Sequence, residues 1–232
     1  MSETMDTNVM TKLLSRRTFL VATSAAGAGV ALASTVGISF AAPSASGDLA
    51  TAMVAASLEV LAVGTYKAAL AAAGAGKLGA VPPAVATFVQ TAMSQHQFAL
   101  DKWNGVITGA GSPAVSAPPS DLNATAQQAF GQVTDVVGAA KLALLLEQTA
   151  ADTYMKAIPT LLSADAITLA GNLQIIDQQH SAVLLFVLGQ YPVPDVFETG
   201  LKAYSPPGAP APAPAAPAPR RAPVPAPVQA PS

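Results

Sequence analysis

Two glutamates and both histidines of this 232-residue chain belong to one repeated pattern. The string Leu-Glu-x-x-Ala-x-x-Thr-Tyr around Glu59 recurs 88 residues later around Glu147. The pair Gln-His at His96 recurs 84 residues later at His180. The repeat indicates a duplicated helical hairpin, in which each copy carries a glutamate on its first helix and a histidine on its second.

The two glutamates lie within apolar stripes. Residues spaced by three or four positions share one face of a helix. Those faces hold Ala55, Glu59, Ala62, Tyr66 and Leu70 in the first copy, and Ala143, Glu147, Ala150, Tyr154 and Ile158 in the second. A buried ionised carboxylate is costly unless it is paired or bound to a metal. The pattern therefore predicts inward ionisable side chains that share a cation. The alternative is a metal-free polar layer in which the histidines and tyrosines satisfy the glutamates.

Tyr66 and Tyr154 each lie two turns beyond the glutamate of their own copy. We interpret them first as core residues, since a buried tyrosine presents a large apolar ring and its hydroxyl finds a partner. The alternative is that they donate hydrogen bonds to the ligands or quench radicals near an oxidising metal.

The composition predicts an all-α fold. Hydrophobic residues make up 51% of the chain, aromatic residues only 5% and charged residues only 10%. Alanine and leucine, which favour helices, dominate, and the β-branched runs of a sheet protein are scarce. The absence of cysteine excludes disulfides, thiolate metal sites and iron–sulfur clusters. The net charge of −2, without a basic stripe, predicts no nucleic-acid binding.

Four apolar-periodic segments are separated by a short, a long and a short connection. The first predicted helix runs from near Asp48, as N-cap, to the break at Gly74, and the second begins after Pro82-Pro83 and ends near Gly109. The third covers roughly Gln132 to Ile158, and the fourth runs from Ser163, as N-cap, to Gly189. The long connection between the second and third helices contains Pro113 and Pro118-Pro119. This connectivity is that of a four-helix bundle with one long crossover.

The repeat and the connectivity together resemble ferritin-like di-iron and di-manganese carboxylate proteins, in which two helices each supply a Glu and two supply Glu-x-x-His. Within that group the chain is most similar to exported bacterial ferritin-like proteins and desiccation-related proteins. The similarity lies in Glu147-Gln148-Thr149-Ala150-Ala151-Asp152-Thr153-Tyr154 and in Tyr191-Pro192-Val193-Pro194-Asp195-Val196-Phe197. It covers roughly residues 48–200.

The resemblance implies that iron or manganese is held by Glu59, His96, Glu147, Asp177 and His180. Asp177 stands three residues before His180, at a bridging-carboxylate position, and is one methylene shorter than the usual Glu. Met93 stands at the equivalent position before His96, where a thioether is a poor replacement for a carboxylate. Three carboxylates against two divalent ions leave one positive charge. A bridging anion would balance that charge; otherwise the site would hold one metal or none.

The ends of the chain differ in composition from the predicted bundle, residues 42–204. Residues 1–41 carry Ser15-Arg16-Arg17-Thr18-Phe19-Leu20 before an uncharged, weakly apolar stretch, which predicts a twin-arginine signal peptide cleaved after Ala41. A retained membrane anchor is the alternative.

At the other end of the chain, residues 205–232 alternate proline with alanine. This composition predicts an extended, disordered tail. The pair Arg220-Arg221 is the only charge in that tail and would permit contact with an anionic cell envelope.

Two functions compete at this stage. The first is an exported metal protein that handles iron or peroxide, or acts in envelope stress, as an oxidoreductase of the ferroxidase or peroxide-consuming type. The second is a metal-free helical scaffold or stress protein of the envelope. Both imply the twin-arginine translocase as a partner and a location in the periplasm, at the cell wall or outside the cell. Both leave the oligomeric state open, a homo-oligomer included.

Overall fold

The computed structural model describes residues 46–194 and 200–208. The predicted signal peptide, the retained-anchor alternative up to residue 45 and the tail beyond residue 208 lie outside these residues. Within them the structure is helical and contains no strand. The elements are α1 (Ser46–Gly74), α2 (Pro83–Gly109), α3 (Ser120–Gly131), α4 (Val136–Ala157), a 3₁₀ turn (Ile158–Thr160) and α5 (Ala164–Val187). The prediction of an all-α fold is confirmed.

The helices form two antiparallel hairpins that pack against each other. α1 packs along α2, α4 packs along α5, and contacts between α1 and α4 join the hairpins. The chain passes from α2 to α4 by the long crossover that contains α3. The prediction of a four-helix bundle with one long crossover is confirmed.

The crossover carries a helix that sequence analysis did not predict. α3 begins directly after Pro118-Pro119, a place where proline is tolerated because the first amides of a helix have no internal partner. α4 begins at Val136 rather than at Gln132. Its N-cap is Asp135, whose carboxylate accepts a hydrogen bond from Gly138 N at 2.7 Å.

The two predicted N-caps have different outcomes. Ser163 is the N-cap of α5, as predicted, and its hydroxyl accepts from Ala166 N. The prediction for Asp48 is wrong, because α1 begins at Ser46 and Asp48 lies inside it. Its carboxylate accepts instead from Leu162 N at 2.9 Å and from Ser163 N at 2.8 Å. Asp48 therefore holds the connection between α4 and α5 against the start of α1.

The densest part of the core lies at the end of the bundle where α1 and α5 begin. Trp103 and Ile107 of α2 are fully buried there. They pack with Ala52, Ala55, Ala56, Tyr154, Leu169 and Ala170, because alanine lets helices approach closely. Residues Gly47–Gly74 of α1 are long and apolar enough to cross a membrane by length and composition alone. In this structure α1 buries Asp48 and Glu59 against the other helices, as a bundle helix does.

Residues 200–204 form a strap across the outside of α4. Lys202 N donates to Asp152 Oδ2 and Tyr204 N donates to Thr153 Oγ1, both at 2.8 Å. The Tyr204 hydroxyl donates to Asp121 of α3 at 2.8 Å. The strap therefore ties the second hairpin to the crossover helix.

Candidate metal centre

The five predicted ligands lie in one buried layer across the bundle. α1 supplies Glu59, α2 His96, α4 Glu147, and α5 both Asp177 and His180. Each is between 2% and 5% exposed. Each points inward because its helix buries the apolar stripe to which the residue belongs.

His96 lies between the two repeated glutamates. Its Nδ1 is 2.7 Å from Glu59 Oε2, and its Nε2 is 3.1 Å from Glu147 Oε1. The Tyr66 ring stacks on the imidazole with a centroid separation of 5.7 Å. The contacts at the two nitrogens therefore fix the rotation of the His96 ring in its own plane, and the Tyr66 ring restricts its movement perpendicular to that plane.

His180 is held in a similar way by Glu147 and Gln95. Its Nδ1 is 3.1 Å from Glu147 Oε2, and its Nε2 is 2.7 Å from Gln95 Oε1. Phe88 packs edge-on against the ring at 5.7 Å. Gln95 precedes His96 on α2 and belongs to the repeat. From the sequence it is one of four glutamines, with Gln148, Gln178 and Gln179, that could orient ligands, although most of the four were expected to face outward.

The two tyrosines hydrogen-bond across the hairpins. Tyr66 of the first hairpin donates to Glu147 Oε1 at 2.5 Å, and Tyr154 of the second donates to Glu59 Oε1 at 2.6 Å. The indole of Trp103 donates to the Tyr154 hydroxyl at 2.8 Å. The tyrosines are therefore buried core residues whose hydroxyls also donate to the glutamates.

Both tyrosine hydroxyls keep their protons. Burial, followed by the charge of Glu147, raises the pKa of Tyr66 well above its ordinary value of 10.0. Burial, followed by the charge of Glu59, raises the pKa of Tyr154 in the same way. Each phenol therefore acts as a donor to a carboxylate.

Four of the five side chains converge on a single point. Ligand atoms of His96, Glu147, Asp177 and His180 all lie within 4.8 Å of one another. Glu59 lies beside this group and contacts it through His96 Nδ1. Met93 is half-buried one turn before His96 and supplies no carboxylate. The four-donor group, as we call these four residues, can hold a metal ion.

The surroundings of one Asp177 oxygen indicate whether a metal ion fits this group. Asp177 Oδ2 is buried and has no hydrogen-bond partner among the described residues. A buried carboxylate oxygen without a donor is unfavourable. Imidazole and carboxylate are ligands that suit iron and manganese. The donor set and the unpartnered oxygen thus both fit a divalent cation.

The charges in the layer depend strongly on one another. Burial by itself lowers the pKa of His96, but attraction to Glu147 and hydrogen bonds to Glu147 and Glu59 raise it well above 6.5. Burial acts to raise the pKa of Glu147, and the two histidines outweigh it, so that the pKa lies well below 4.5. Burial, then the charges of Glu59 and Glu147, raise the pKa of Asp177 well above 3.8. Without a metal, protons supply the positive charge that the layer needs.

Comparison with known proteins agrees with the fold. No curated protein and no solved structure matches the chain. The sequence model of a family described as a ferritin-like domain matches residues 47–190, which include the five helices, apart from Ser46 at the start of α1, and the five predicted ligands. That match covers more than half of the chain. The chain belongs to the ferritin-like domain family.

Proposed function

We propose that the buried layer binds iron or manganese and that the protein handles iron or peroxide at this centre. One arrangement carries the proposal. Ligand atoms of two imidazoles and two carboxylates lie within 4.8 Å of one another, and one oxygen of the Asp177 carboxylate is buried without a partner among the described residues. A bound iron or manganese ion would supply one-electron redox chemistry at a place shielded from water. The residues that would hold it are His96, Glu147, Asp177 and His180, with Glu59 beside them.

The contacts of the outer ring nitrogens are compatible with the histidine tautomers that a metal requires. His96 can donate from Nδ1 to Glu59, which leaves its Nε2 free of a proton beside Glu147. His180 can donate from Nε2 to Gln95, which leaves its Nδ1 free beside Glu147. Histidine ligands in proteins commonly hold their second ring nitrogen in this way, which fixes the tautomer and the ring orientation.

The same geometry favours one ion over two as the first state of the site. The four-donor group fits within the coordination sphere of one ion. A second ion would need Glu59, whose Oε2 is already 2.7 Å from His96 Nδ1. It would also need a bridging carboxylate where the chain has Met93. A dinuclear centre therefore requires Glu59 to exchange its partner.

The second candidate function is a metal-free scaffold. One observation favours it: His96 bridges Glu59 and Glu147, and each glutamate also accepts from a tyrosine, so both are satisfied without a metal ion. His96 then donates from both ring nitrogens and carries a positive charge, and Asp177 is protonated; the raised pKa of each group agrees with this.

Met93→Glu separates the two candidates. If the layer binds metal, the new carboxylate adds the missing bridge and should raise iron or manganese occupancy from about one ion towards two. A metal that is present at about a hundred times its dissociation constant should stabilise the fold by about 2.7 kcal/mol. In a metal-free core the same change adds an unpaired carboxylate and only destabilises.

The measurement is metal content by elemental analysis together with the unfolding midpoint, with and without added Fe(II) or Mn(II). Ser94→Glu is the matched control, because it places a carboxylate on the exposed neighbour of Met93. Glu147→Gln removes the carboxylate that contacts both histidines and should abolish binding. The metal proposal fails if the wild type and Met93→Glu both bind no metal while Met93→Glu is simply less stable than Ser94→Glu.

We also propose that the chain is exported folded by the twin-arginine translocase and acts in the periplasm, at the cell wall or outside the cell. The support is the match of residues 15–20 to the twin-arginine consensus. Changing Arg16 and Arg17 to lysine should leave precursor in the cytoplasm. Unchanged export in cells that lack the translocase would contradict the proposal.

A further inference from the structure

The buried layer comes closest to solvent at His180. This residue is 5% exposed, against 2–3% for the other four predicted ligands. The outer nitrogen of its ring, Nε2, is 2.7 Å from Gln95 Oε1. Gln95 is itself an exposed residue of α2. One amide side chain therefore lies between the solvent and the ring of His180.

Gln95 and His180 lie at the seam between α2 and α5, that is, where these two helices face each other. Close backbone contacts join α1 to α2, α4 to α5 and α1 to α4, whereas the backbones of α2 and α5 approach each other at few points. Side chains span the gap instead. Phe88 and His96 of α2 pack against the His180 ring, with centroid separations of 5.7 and 5.3 Å. Because side chains change rotamer without movement of a helix, this seam can open locally.

The other directions into the layer are less suited to a hydrated ion. One end of the bundle is closed by the buried side chains of Trp103 and Ile107. At the other end lies a cavity lined mainly by apolar side chains, where a cation would lose water ligands without gaining protein ligands. The hydrogen bonds of Tyr66 and Tyr154 to the glutamates cross between α1 and α4. Among the described residues, the seam between α2 and α5 is thus the polar route to the layer.

We propose that water and ions reach the buried layer through the seam between α2 and α5, and that the Gln95 side chain controls this passage. The His180 ring contacts Gln95 on its outer side and Glu147 on its inner side. It therefore has to turn aside for an ion to reach Glu147, and its hydrogen bond to Gln95 has to break first. The passage of a metal ion rests on the proposed function, whereas the passage of water and small reagents does not.

The reactivity of the two histidines tests the route without metal. His96 and His180 are the two histidines of the chain, so mass spectrometry can follow each one in untagged protein. Diethyl pyrocarbonate transfers an ethoxycarbonyl group to imidazole and releases carbon dioxide and ethanol. In the metal-free protein, Gln95→Ala should make His180 react about two- to tenfold faster, the range that corresponds to the loss of one hydrogen bond. His96 should keep its wild-type rate.

Ser94→Ala is the matched control, because Ser94 is the exposed neighbour of Gln95 on α2. It should leave the reactivity of both histidines unchanged. Equal acceleration of both histidines in Gln95→Ala would mean that the whole bundle loosens. An unchanged rate at His180 would mean that Gln95 does not cover it. Either result overturns the proposal.

The second test measures how fast Mn(II) enters and leaves. A dye that reports free Mn(II) follows association after rapid mixing, and a chelating dye in excess follows dissociation. Gln95→Ala should accelerate both by about two- to tenfold. The affinity should change less than either rate, because a barrier on the route acts in both directions. Faster dissociation with unchanged association would show that Gln95 only orients His180, and would overturn its control of the passage.

A bulky group at the seam should have the opposite effect. The chain has no cysteine, so Gln95→Cys and Ser94→Cys each introduce a single thiol. After reaction with a bulky maleimide, the protein labelled at position 95 should bind Mn(II) severalfold more slowly, whereas label at position 94 should leave the rate unchanged. Equal slowing at both positions, or none at position 95, would place the entry elsewhere and overturn the route.

The two kinds of measurement separate this proposal from the proposed function. If His180 becomes reactive in Gln95→Ala but the wild type binds no Mn(II), the metal function fails and the route for water and small reagents stands. If Mn(II) binds but neither its rates nor the reactivity of His180 respond to Gln95→Ala, the metal function stands and the route is overturned.

Discussion

At the scale of single residues, each repeated glutamate is held by a tyrosine of the other hairpin. Tyr66 and Glu147 are 81 positions apart in the chain, and Tyr154 and Glu59 are 95 apart. The hydroxyls keep the carboxylate oxygens in place before any ligand arrives. The buried layer is thus formed jointly, and neither hairpin contains a complete half of it.

Removing one hydroxyl should cost about 1.5–3 kcal/mol, because the lost hydrogen bond goes to a buried charged group. Tyr154→Phe should cost more than Tyr66→Phe, since it also leaves the indole N–H of Trp103 without its acceptor. Chemical denaturation of both variants measures the difference. Tyr191→Phe, at a tyrosine that is 73% exposed, is the control and should change stability by less than about 0.5 kcal/mol. Equal small losses in all three variants would contradict the assigned roles.

The pH dependence of the metal-free protein follows from His96 and Asp177. Because the folded-state pKa of His96 lies above 6.5, its stabilising contribution is complete below that pH and is lost as pH rises through the raised value. The raised pKa of Asp177 acts in the same direction, since the folded protein holds a proton that the unfolded chain releases. Stability in the presence of a chelator should therefore fall from pH 6.5 to about 9, below the range in which tyrosines ionise.

Urea denaturation across this pH range checks the prediction. His96→Gln, which lacks the titrating group, should show a flatter profile. Added Mn(II) should stabilise more at high pH than at low pH, because metal and protons compete for the same groups. A stability that rises with pH in the chelated wild type would be the opposite result.

The sequence predicted which side chains enter the layer but not how they are paired. The repeat identifies Glu59 with Glu147 and Tyr66 with Tyr154, and the helical period turns all of them inward. It carries no information on which hairpin a hydroxyl will contact, because that depends on how the two hairpins are stacked. Gln95 could not be singled out among the candidate glutamines for a related reason: its position on α2 is exposed, and only the reach of its side chain brings it to His180.

At the scale of the elements, the hairpins are joined at one end by Asp48. This residue is 1% exposed, and both of its carboxylate oxygens accept backbone hydrogen bonds from the connection before α5. Asp48 therefore fixes the connection just before α5, while Ser163 itself caps the first turn of that helix.

Asp48→Ala should destabilise the protein by about 1–3 kcal/mol, because two amides lose their acceptor. Asp48→Asn keeps one oxygen acceptor and should lose about half as much. Asp101→Ala removes an exposed carboxylate of α2 and serves as the control, with an expected change below about 0.5 kcal/mol. Thermal unfolding of the three variants measures these differences. A loss for Asp48→Ala no larger than that for Asp101→Ala would show that the contact is not stabilising.

The helix boundaries near Pro83, Pro159 and Ser163 were predictable, whereas the N-cap of α4 at Asp135 and the helix in the crossover were not. Pro83, Pro159 and Ser163 act locally, so their effect can be read from neighbouring residues. α3 has few buried residues, Ala126 among them, and therefore lacks the apolar stripe by which the four bundle helices were recognised. Its position depends on packing against α4 and on the hydrogen bond from Tyr204, which are long-range contacts.

At the scale of the whole molecule, the two ends of the bundle differ in packing, and the strap connects α4 with α3. One end is packed around Trp103, and the other contains a cavity of about 90 Å³ lined mainly by apolar side chains, Leu78, Val81 and Phe88 among them. The strap, residues 200–204, bonds Asp152 and Thr153 of α4 and Asp121 of α3. Gly200 begins the strap with a φ of 67°, and an added Cβ there would meet the side chains of Met155 and Lys156.

Two truncations that differ by four residues test the strap. A chain that ends after Tyr204 should unfold as the full chain does, because a proline-alternating tail buries little apolar surface. A chain that ends after Gly200 leaves the buried Asp152 without its donor Lys202 N and should lose about 1–3 kcal/mol. Calorimetry on both proteins measures the loss in unfolding free energy. A loss already present in the longer truncation would mean that the tail packs on the domain.

The single tryptophan gives the bundle an optical reporter of its own site. Trp103 is 0% exposed and stacks on Tyr154 at a centroid distance of 6.2 Å. Its N–H donates to a hydroxyl that donates in turn to Glu59. Tryptophan emission responds to nearby charge, and paramagnetic ions quench it. The native fluorescence of this protein should therefore register protonation or metal entry in the buried layer, two hydrogen bonds away, without any attached dye.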